Sequence, residues 1–281
     1  MIQDIPQGLF SNAYQPRPSK LEDIVCCFTA HRVLGSTAGD RLRLPRRREI
    51  CLPEEDLQYL FSLGDEAWYL AREPVTAAGY EPVSVRVFRS LGPKLTAFGM
   101  ITAWHLAQWY RANRFCGACG NEMEHKADER ALSCPGCGQT VYPRINPAVI
   151  VAVCHGDQIL LTKYAGRDYT KYALIAGFCE IGETPEDTVH REVFEEAGLQ
   201  VTDLRYYKSQ PWALTSTLLM GFFVRLDGSS QVHIDTGELS TAQWVDRREV
   251  AKMPDDEISL TREMMALFGA GKDPFSLEES N

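Results

Sequence analysis

The sequence contains no apolar run that approaches the ~18 residues of a membrane-spanning helix. Its first residues, MIQDIPQGLFSNAY, lack the charged-then-apolar pattern of a signal peptide. It also shows no internal repeat and no low-complexity tract. We therefore expect a soluble, cytoplasmic protein with no membrane partner.

Basic residues are in deficit, with 29 Lys and Arg against 38 Asp and Glu, for a net charge of −9. Broad, sequence-independent affinity for nucleic acids depends on phosphate neutralisation by Lys and Arg, so this charge balance disfavours it. The stretch RLRLPRRRE is a local exception, and its arginines are Arg41, Arg43, Arg46, Arg47 and Arg48. Such a run is usually a solvated loop, and the alternative is a small patch that contacts an anion or RNA.

Nine cysteines would suit a disulfide scaffold in a small secreted chain, but here the number is odd and the chain has 281 residues. Four of them form two CxxC pairs: Cys116, Cys119, Cys134 and Cys137. Each pair can present two sulfurs to one ion, and a closed set of four thiolates is typical of structural zinc. A redox dithiol is the alternative, but it leaves the second pair unexplained. His125 is the nearest other ligand, and four thiolates leave it no position.

Acidic residues are concentrated in GFCEIGETPEDTVHREVFEEAGL, residues 177–199. Glu192, Glu195 and Glu196 have the spacing i, i+3, i+4, which places three carboxylates on one helical face. That face repels itself unless a cation lies on it. Hard oxygen ligands on one rigid face suit Mg²⁺ or Mn²⁺, and these ions bridge substrate phosphates.

The same segment contains the start and stop signals of a helix. Thr184 is suited to the N-cap, Pro185 to the first helical position, and Asp187 to a capping box with Thr184. Gly198 is suited to the end of the helix. The sequence therefore predicts a helix over about 185–197.

The remaining pattern predicts an α+β protein. Short apolar runs separated by Gly and Pro precede a stretch of helical spacing at about 95–113, and β-like runs such as LLMGFFVRL, QVHID and AQWVD follow the carboxylate helix before an amphipathic helix near ISLTREMMALF. We assign the domains as an extended or disordered arm at 1–22, a β-rich domain with a linking helix at 23–113, a zinc ribbon at 114–143, an α/β domain at 144–272 and a tail at 273–281.

Residues 177–199 resemble the Nudix box, G-x5-E-x7-R-E-U-x-E-E-x-G-U with U aliphatic, and its structural positions fall on Gly177, Glu183, Arg191 and Gly198. The resemblance implies a C-terminal Nudix α/β/α sandwich and Mg²⁺- or Mn²⁺-dependent hydrolysis of a diphosphate. It assigns Glu192, Glu195 and Glu196 as catalytic metal ligands. Arg191 would position a carboxylate by ion pairing, and Glu183 would support the turn before the helix.

Further along the chain, DTGELSTAQW resembles the segment whose glutamate completes the metal site in this family, which falls on Glu238. A zinc ribbon directly before a Nudix box is similar to the NADH pyrophosphatases of the NudC type, which also act on NAD-capped RNA. That similarity implies homodimers, a dinucleotide substrate, stacking of Phe178 on the nicotinamide ring and a contribution of Tyr142 from the partner subunit.

This subfamily carries SQPWPFPxS after the box, and the present chain reads SQPWALTST. Ser209, Gln210 and Trp212 match as substrate-binding residues, whereas Ala213 and Leu214 begin the part that departs from the motif. The leading hypothesis is a pyrophosphatase that converts NADH or NAD⁺ to nicotinamide mononucleotide and AMP. One alternative is hydrolysis of ADP-ribose, FAD or a diadenosine compound, and another is a non-catalytic Nudix nucleotide sensor.

Overall fold

The computed structural model of the protein describes residues 1–166, 171–254 and 257–276. The end of the predicted tail, residues 277–281, lies outside this range. The chain divides into two compact units, one of residues 2–144 and one that comprises Met1 and the chain from Ile145 onward. Among the described residues, no helix combines the length and apolar character that crossing a membrane requires.

The first unit begins with two small sheets. Their strands are β1 (Phe10–Ser11), β2 (Ile24–Cys26), β3 (Phe28–Thr29), β4 (Arg32–Ala38), β5 (Arg41–Arg43), β6 (Leu57–Leu63), β7 (Glu66–Ala71) and β8 (Glu81–Ser84). One sheet has the order β1-β6-β7-β2, and in the other β4 pairs with β3, β5 and β8. Because β1 belongs to the predicted arm and pairs with β6, part of that arm is an extended strand.

Helix α1, Lys94–Ala112, follows these sheets and confirms the helix predicted at about 95–113. Trp104 and Trp109 on this helix are buried, as is typical of packing residues. The first unit ends with a three-stranded sheet of order β11-β10-β9, made of β9 (Glu124–His125), β10 (Leu132–Ser133) and β11 (Thr140–Val141). A small core beneath it combines Trp109 with Met123 and Leu132.

The second unit is built on one mixed sheet. Its elements are β12 (Asn146–His155), β13 (Gln158–Tyr164), β14 (Ile175–Phe178), α2 (Pro185–Ala197), β15 (Gln200–Trp212), β16 (Thr217–Asp227), β17 (Leu239–Asp246), α3 (Arg247–Val250) and α4 (Leu260–Gly269). The order is β15-β16-β12-β13-β17, with β14 antiparallel to β12. The β12–β16 pair is parallel, and the other pairs are antiparallel.

The side chains of strand β12 alternate between two hydrophobic cores, one on each face of the sheet. Val149, Val151 and Val153 pack with Val189 and Val193 of α2 on one face. On the other face, the neighbouring positions of β12 pack with Met264 and Phe268 of α4. Because successive side chains of a strand point to opposite faces, one apolar strand can separate two helical layers. This arrangement confirms the predicted α/β/α sandwich.

The sequence prediction was wrong at QVHID, residues 231–235, which is not a strand. The backbone N–H groups of His233 and Asp235 donate to the carbonyl oxygens of Ala197 and Glu196, at 2.9 and 3.1 Å. The last carbonyls of a helix have no partner within the helix, so an extended segment can satisfy them without joining a sheet. This segment therefore leads from the end of α2 toward β17.

Candidate functional site

The four predicted zinc ligands lie in two turns of the same conformation. In the first, Cys116 N donates to Asn121 O at 2.8 Å and Gly120 N donates to Cys116 O at 2.9 Å. In the second, Cys134 N donates to Gln139 O and Gly138 N to Cys134 O at the same two distances. Gly120 and Gly138 have φ angles of 77° and 76°, a region that glycine adopts without strain.

The two turns bring all four sulfur atoms within 4.8 Å of one another. The Sγ atoms of Cys116 and Cys137 are 3.6 Å apart, and those of Cys119 and Cys134 are 3.4 Å apart. A tetrahedral site with metal–sulfur distances of about 2.3 Å has sulfur–sulfur edges of about 3.8 Å, so this cluster fits zinc. Backbone N–H donors lower the pKa of the Cys116 and Cys134 thiols, whereas at Cys119 and Cys137 the hydrogen bonds to neighbouring sulfurs outweigh the backbone donor and raise the pKa.

Helix α2 confirms the predicted boundaries and caps. Thr184 accepts from Asp187 N at 3.1 Å, and the Asp187 side chain accepts from Thr184 N at 3.2 Å. Pro185 is the first helical residue, and Gly198 ends the helix with a φ of 68°. This capping box and glycine cap fix the helix at both ends and so fix the direction of its carboxylate face.

Arg191 lies at the centre of the acidic cluster. Its Nε and Nη2 donate to the two carboxylate oxygens of Glu183 at 2.6 and 2.9 Å. Its Nη1 donates to Glu192 Oε1 at 2.7 Å and to Glu195 Oε2 at 3.0 Å. Nη2 also donates to the carbonyl oxygen of Phe178 at 2.9 Å, which ties the helix to the end of β14. A planar guanidinium with five donors can hold all of these acceptors at once.

Glu183 is held by more than Arg191. Its Oε2 accepts from Glu180 N at 3.1 Å and from Thr188 Oγ1 at 3.0 Å. The Arg191 guanidinium, followed by the Glu180 N–H, lowers the pKa of Glu183 to about 2. Sequence reasoning did not single out Thr188. The only feature near Thr188 that could have indicated its role is its position four residues after the N-cap Thr184, on the buried side of the helix.

The three box carboxylates differ in their exposure. Glu196 and Glu192 are 2% and 8% exposed, whereas the Glu195 side chain is 57% exposed. Desolvation raises the pKa of Glu192, and the Arg191 guanidinium opposes this shift. Gly177 on β14 lies against Glu192, because a Cβ atom added there would overlap the Glu192 carboxyl group. Glu192 therefore lies on the side of α2 that faces β14, and the helix carries two buried carboxylates and one exposed carboxylate.

Glu238 reaches this region through the segment after β16 that is hydrogen-bonded to the end of α2. Its N–H donates to Asp235 O at 3.2 Å, and its carbonyl oxygen accepts from Ala165 N at 2.8 Å. The charges of Glu195 and Glu238 both add to the raised pKa of Glu192. Across the described ranges, only the cysteine cluster brings three or more ligand atoms within 4.8 Å. The carboxylates are thus neighbours rather than a converged set.

The predicted substrate-binding residues fall into exposed and buried groups. Phe178 and Tyr142 are 49% and 56% exposed, and Tyr142 belongs to the first unit, where its hydroxyl donates to Glu129 at 3.2 Å. Ser209 and Trp212 lie half-buried on β15. Gln210 is fully buried, and its amide donates to Ile258 O and accepts from Leu260 N, both at 2.8 Å.

Most arginines of the stretch RLRLPRRRE make contacts within the first unit. Arg43 pairs with Glu49, and Arg46 pairs with Glu66 at 2.7 Å. Arg48 pairs with Glu22, and Arg47 donates to the carbonyl oxygens of Ile50 and Leu52 at 2.9 and 2.7 Å. These contacts favour a structural role for four of the five arginines over an anion-binding patch.

The sandwich, the capped acidic helix and the separate thiolate cluster define a protein that combines a carboxylate-bearing helix with a four-cysteine site that fits zinc. Residues 144–268 match the Nudix domain model, and residues 111–142 match the NADH pyrophosphatase zinc ribbon domain model. The chain therefore contains a Nudix domain preceded by a zinc ribbon of the NADH pyrophosphatase type.

Among curated relatives, the chain is 42% identical over 149 residues to an NAD-capped RNA hydrolase NudC of Pectobacterium carotovorum, covering 53% of this chain and 57% of that protein. It is 40% identical to the NudC of Escherichia coli O1:K1, covering 53% and 58%. The match thus spans little more than half the length of these relatives. A Nudix hydrolase crystal structure from Nitrosomonas europaea has 23% identity and a TM-score of 0.49, covering 57% of this chain and 92% of that one.

Proposed function

We propose that this protein is a homodimeric, metal-dependent pyrophosphatase that hydrolyses the diphosphate of NADH or NAD⁺ to nicotinamide mononucleotide and AMP. We further propose that it removes NAD caps from RNA, since the same bond is cut. The observation that carries the proposal is the carboxylate edge of α2, held by Arg191 and packed against Gly177, in a chain whose ribbon matches that of NADH pyrophosphatases.

The residues proposed to hold Mg²⁺ or Mn²⁺ are Glu192, Glu195, Glu196 and Glu238. The set fits these ions because it offers only carboxylate oxygens and because two of its members are shielded from water. When bound there, the metal would neutralise phosphate charge and activate the attacking water. Zn²⁺ on the four cysteines has no open coordination position, so its role is to stabilise the ribbon.

The chain itself supplies orientation. Arg191 fixes Glu192 and Glu195 from one side, and its bidentate contact with Glu183 fixes Arg191 in turn. Gly177 allows the β14 backbone to lie against Glu192. A water that attacks phosphorus must approach in line with the leaving oxygen, so a carboxylate near it has to be held in place before substrate binds. We propose that Glu183 and Arg191 perform this positioning without touching the substrate.

Substrate contacts are proposed for Phe178, Ser209 and Trp212, and for Tyr142 of the partner subunit. Phe178 and Tyr142 offer exposed flat rings that suit a flat base. Gln210 is proposed to support the site from the protein interior, because its amide nitrogen and oxygen are both hydrogen-bonded to the backbone at the start of α4. It would position β15 and the neighbouring Ser209.

The experiment that tests this function incubates purified protein with Mg²⁺ or Mn²⁺ and NADH, NAD⁺, ADP-ribose, FAD, diadenosine compounds or NAD-capped RNA. Release of AMP and mononucleotide is followed by chromatography. Fastest cleavage of NADH, NAD⁺ or capped RNA supports the proposal. Preference for ADP-ribose, FAD or a diadenosine compound would show that ALTST has altered the specificity, and nucleotide binding without hydrolysis would identify a sensor.

A further inference from the structure

A cavity of about 460 Å³ lies within the first unit, in a volume range that small-molecule sites occupy. Three parts of the chain contribute much of its wall. The last turns of α1 contribute Gln108, Tyr110 and Arg111, the end of β7 leads into Arg72, and the ribbon contributes His125. We call it the ribbon cavity. All of its lining residues lie between residues 28 and 132, so it belongs to one unit.

The ribbon cavity combines an aromatic surface with apolar walls. The rings of Tyr110 and His125 have centroids 5.0 Å apart and planes inclined by 33°. Phe28, Leu70 and Met123 also line the cavity. Partial desolvation, together with the charge of Arg72, lowers the pKa of His125 to about 4, so the imidazole is neutral at pH 7. A neutral imidazole beside a phenol ring offers a flat surface on which an aromatic base can stack.

The charged groups of the cavity favour an anion. Three arginines line the cavity, Arg72, Arg111 and Arg114, together with two carboxylates, Glu73 and Glu122. Arg114 is paired with Glu122 at 3.1 Å, whereas Arg72 and Arg111 donate to neutral amide oxygens, those of Gln58 at 2.8 Å and Gln108 at 2.7 Å. Each guanidinium has five donors, so one bond to an amide leaves donors available for phosphate oxygens. This positive lining occurs in a chain with a net charge of −9.

We propose that the ribbon cavity binds a nucleotide, with its base against Tyr110 and His125 and its phosphate on Arg72 and Arg111. The nucleotide is either free or part of an RNA strand. The proposal goes beyond the hydrolytic function, because no lining residue belongs to the Nudix domain. Its failure is therefore distinguishable from failure of the proposed function, since hydrolysis of the dinucleotide is measured on the same protein samples.

The test uses the full-length, zinc-loaded protein and two photo-crosslinking probes, 8-azido-AMP and a short 5′-phosphorylated oligoadenylate that contains 8-azidoadenosine. Crosslinked peptides are mapped by mass spectrometry, and binding is measured as the concentration dependence of labelling within residues 2–144. The double variant Arg72→Gln/Arg111→Gln is compared with Arg41→Gln/Arg86→Gln, which removes the same charge from two exposed arginines of the same unit outside the cavity.

We expect labelling at the ribbon cavity and, in the cavity variant, binding weakened about tenfold or more, while the control variant binds like the wild type. Weakening for both probes identifies a site for free nucleotides, and weakening for the oligonucleotide alone identifies a site for RNA. Equal affinities in the two double variants, or labels confined to the Nudix domain, would overturn the proposal. If the double variant loses zinc or thermal stability, the single variant Arg111→Gln is used for the comparison, because the Arg111 side chain is exposed on α1.

Discussion

Gly177 and Glu192 are in such close contact that a side chain on Gly177 would occupy the space of the Glu192 carboxyl group. Gly177 is paired with Val149 across β14 and β12, so the strand cannot withdraw without breaking the sheet. The position of Glu192 is thus fixed by the strand on one side and by Arg191 on the other. The first position of the Nudix box therefore has to be glycine for the Glu192 carboxylate, fifteen residues later, to occupy its place.

Gly177→Ala is expected to displace Glu192 and to lower kcat/KM for the diphosphate substrate on the order of 100-fold, since a displacement of about 1 Å at a catalytic group has that effect. The fold should persist, because alanine is compatible with a strand. Steady-state kinetics and circular dichroism measure the two properties. Gly117→Ala, which adds a methyl group in open space, is the matched control. Equal losses in both variants would remove the steric explanation.

Glu196→Gln keeps the shape of a buried side chain and removes its charge. We expect turnover to fall about 100-fold or more, with the melting temperature and zinc content unchanged, because a metal ligand is lost while packing is kept. Glu186→Gln, an exposed change on the same helix, should retain activity. Near-normal turnover of the Glu196 variant would remove Glu196 from the metal site.

Glu183→Gln tests the ion pair with Arg191 through its pH dependence. The folded-state pKa of Glu183, about 2, lies below the ordinary value of 4.5. The ionised group therefore stabilises the fold above pH 4.5, and this contribution is lost as the pH falls from 4.5 toward 2. Thermal denaturation of wild type and variant should differ at pH 7 and converge between pH 4.5 and 2. A difference independent of pH would point to shape rather than charge, and Glu180→Gln serves as the exposed control.

Cys134→Ser is expected to lower zinc content and thermal stability together, because the remaining ligands cannot close the tetrahedral set. A loss of a few kcal/mol corresponds to a fall in melting temperature of roughly 5–10 °C. Metal analysis and calorimetry provide the measurements. Cys51→Ser, at an exposed cysteine outside the cluster, should change neither. Full zinc occupancy in the Cys134 variant would exclude this cysteine as a ligand.

Local signals predicted most of the framework of the site. The caps of α2 lie within the helix and its flanking residues, and the two cysteine turns depend on short spacings. Both could be predicted because each is determined by residues a few positions apart.

Long-range contacts explain what the sequence did not predict. QVHID has the alternation of a strand, but its N–H groups bind the end of α2, and nothing within the segment indicates that partner. The motif SQPW predicted Gln210 as a substrate contact, whereas its burial and its bonds to Ile258 and Leu260 depend on where α4 lies. The engagement of the arginine stretch likewise depends on Glu22 and Glu66, which are distant in the sequence.

The attachment of residues 233–238 to the end of α2 has a consequence for how the site forms during folding. Glu183, Arg191, Glu192 and Glu195 make their contacts within one helix and the turn before it, so they can assemble as soon as α2 forms. Glu238 joins them only after the chain has returned through β15 and β16 and docked on the carbonyl oxygens of Glu196 and Ala197. Of the four carboxylates proposed as metal ligands, Glu238 is thus the one whose position depends on contacts between segments that are distant in the sequence. A chain that ended before residue 233 would carry the box but would lack both this attachment and Glu238.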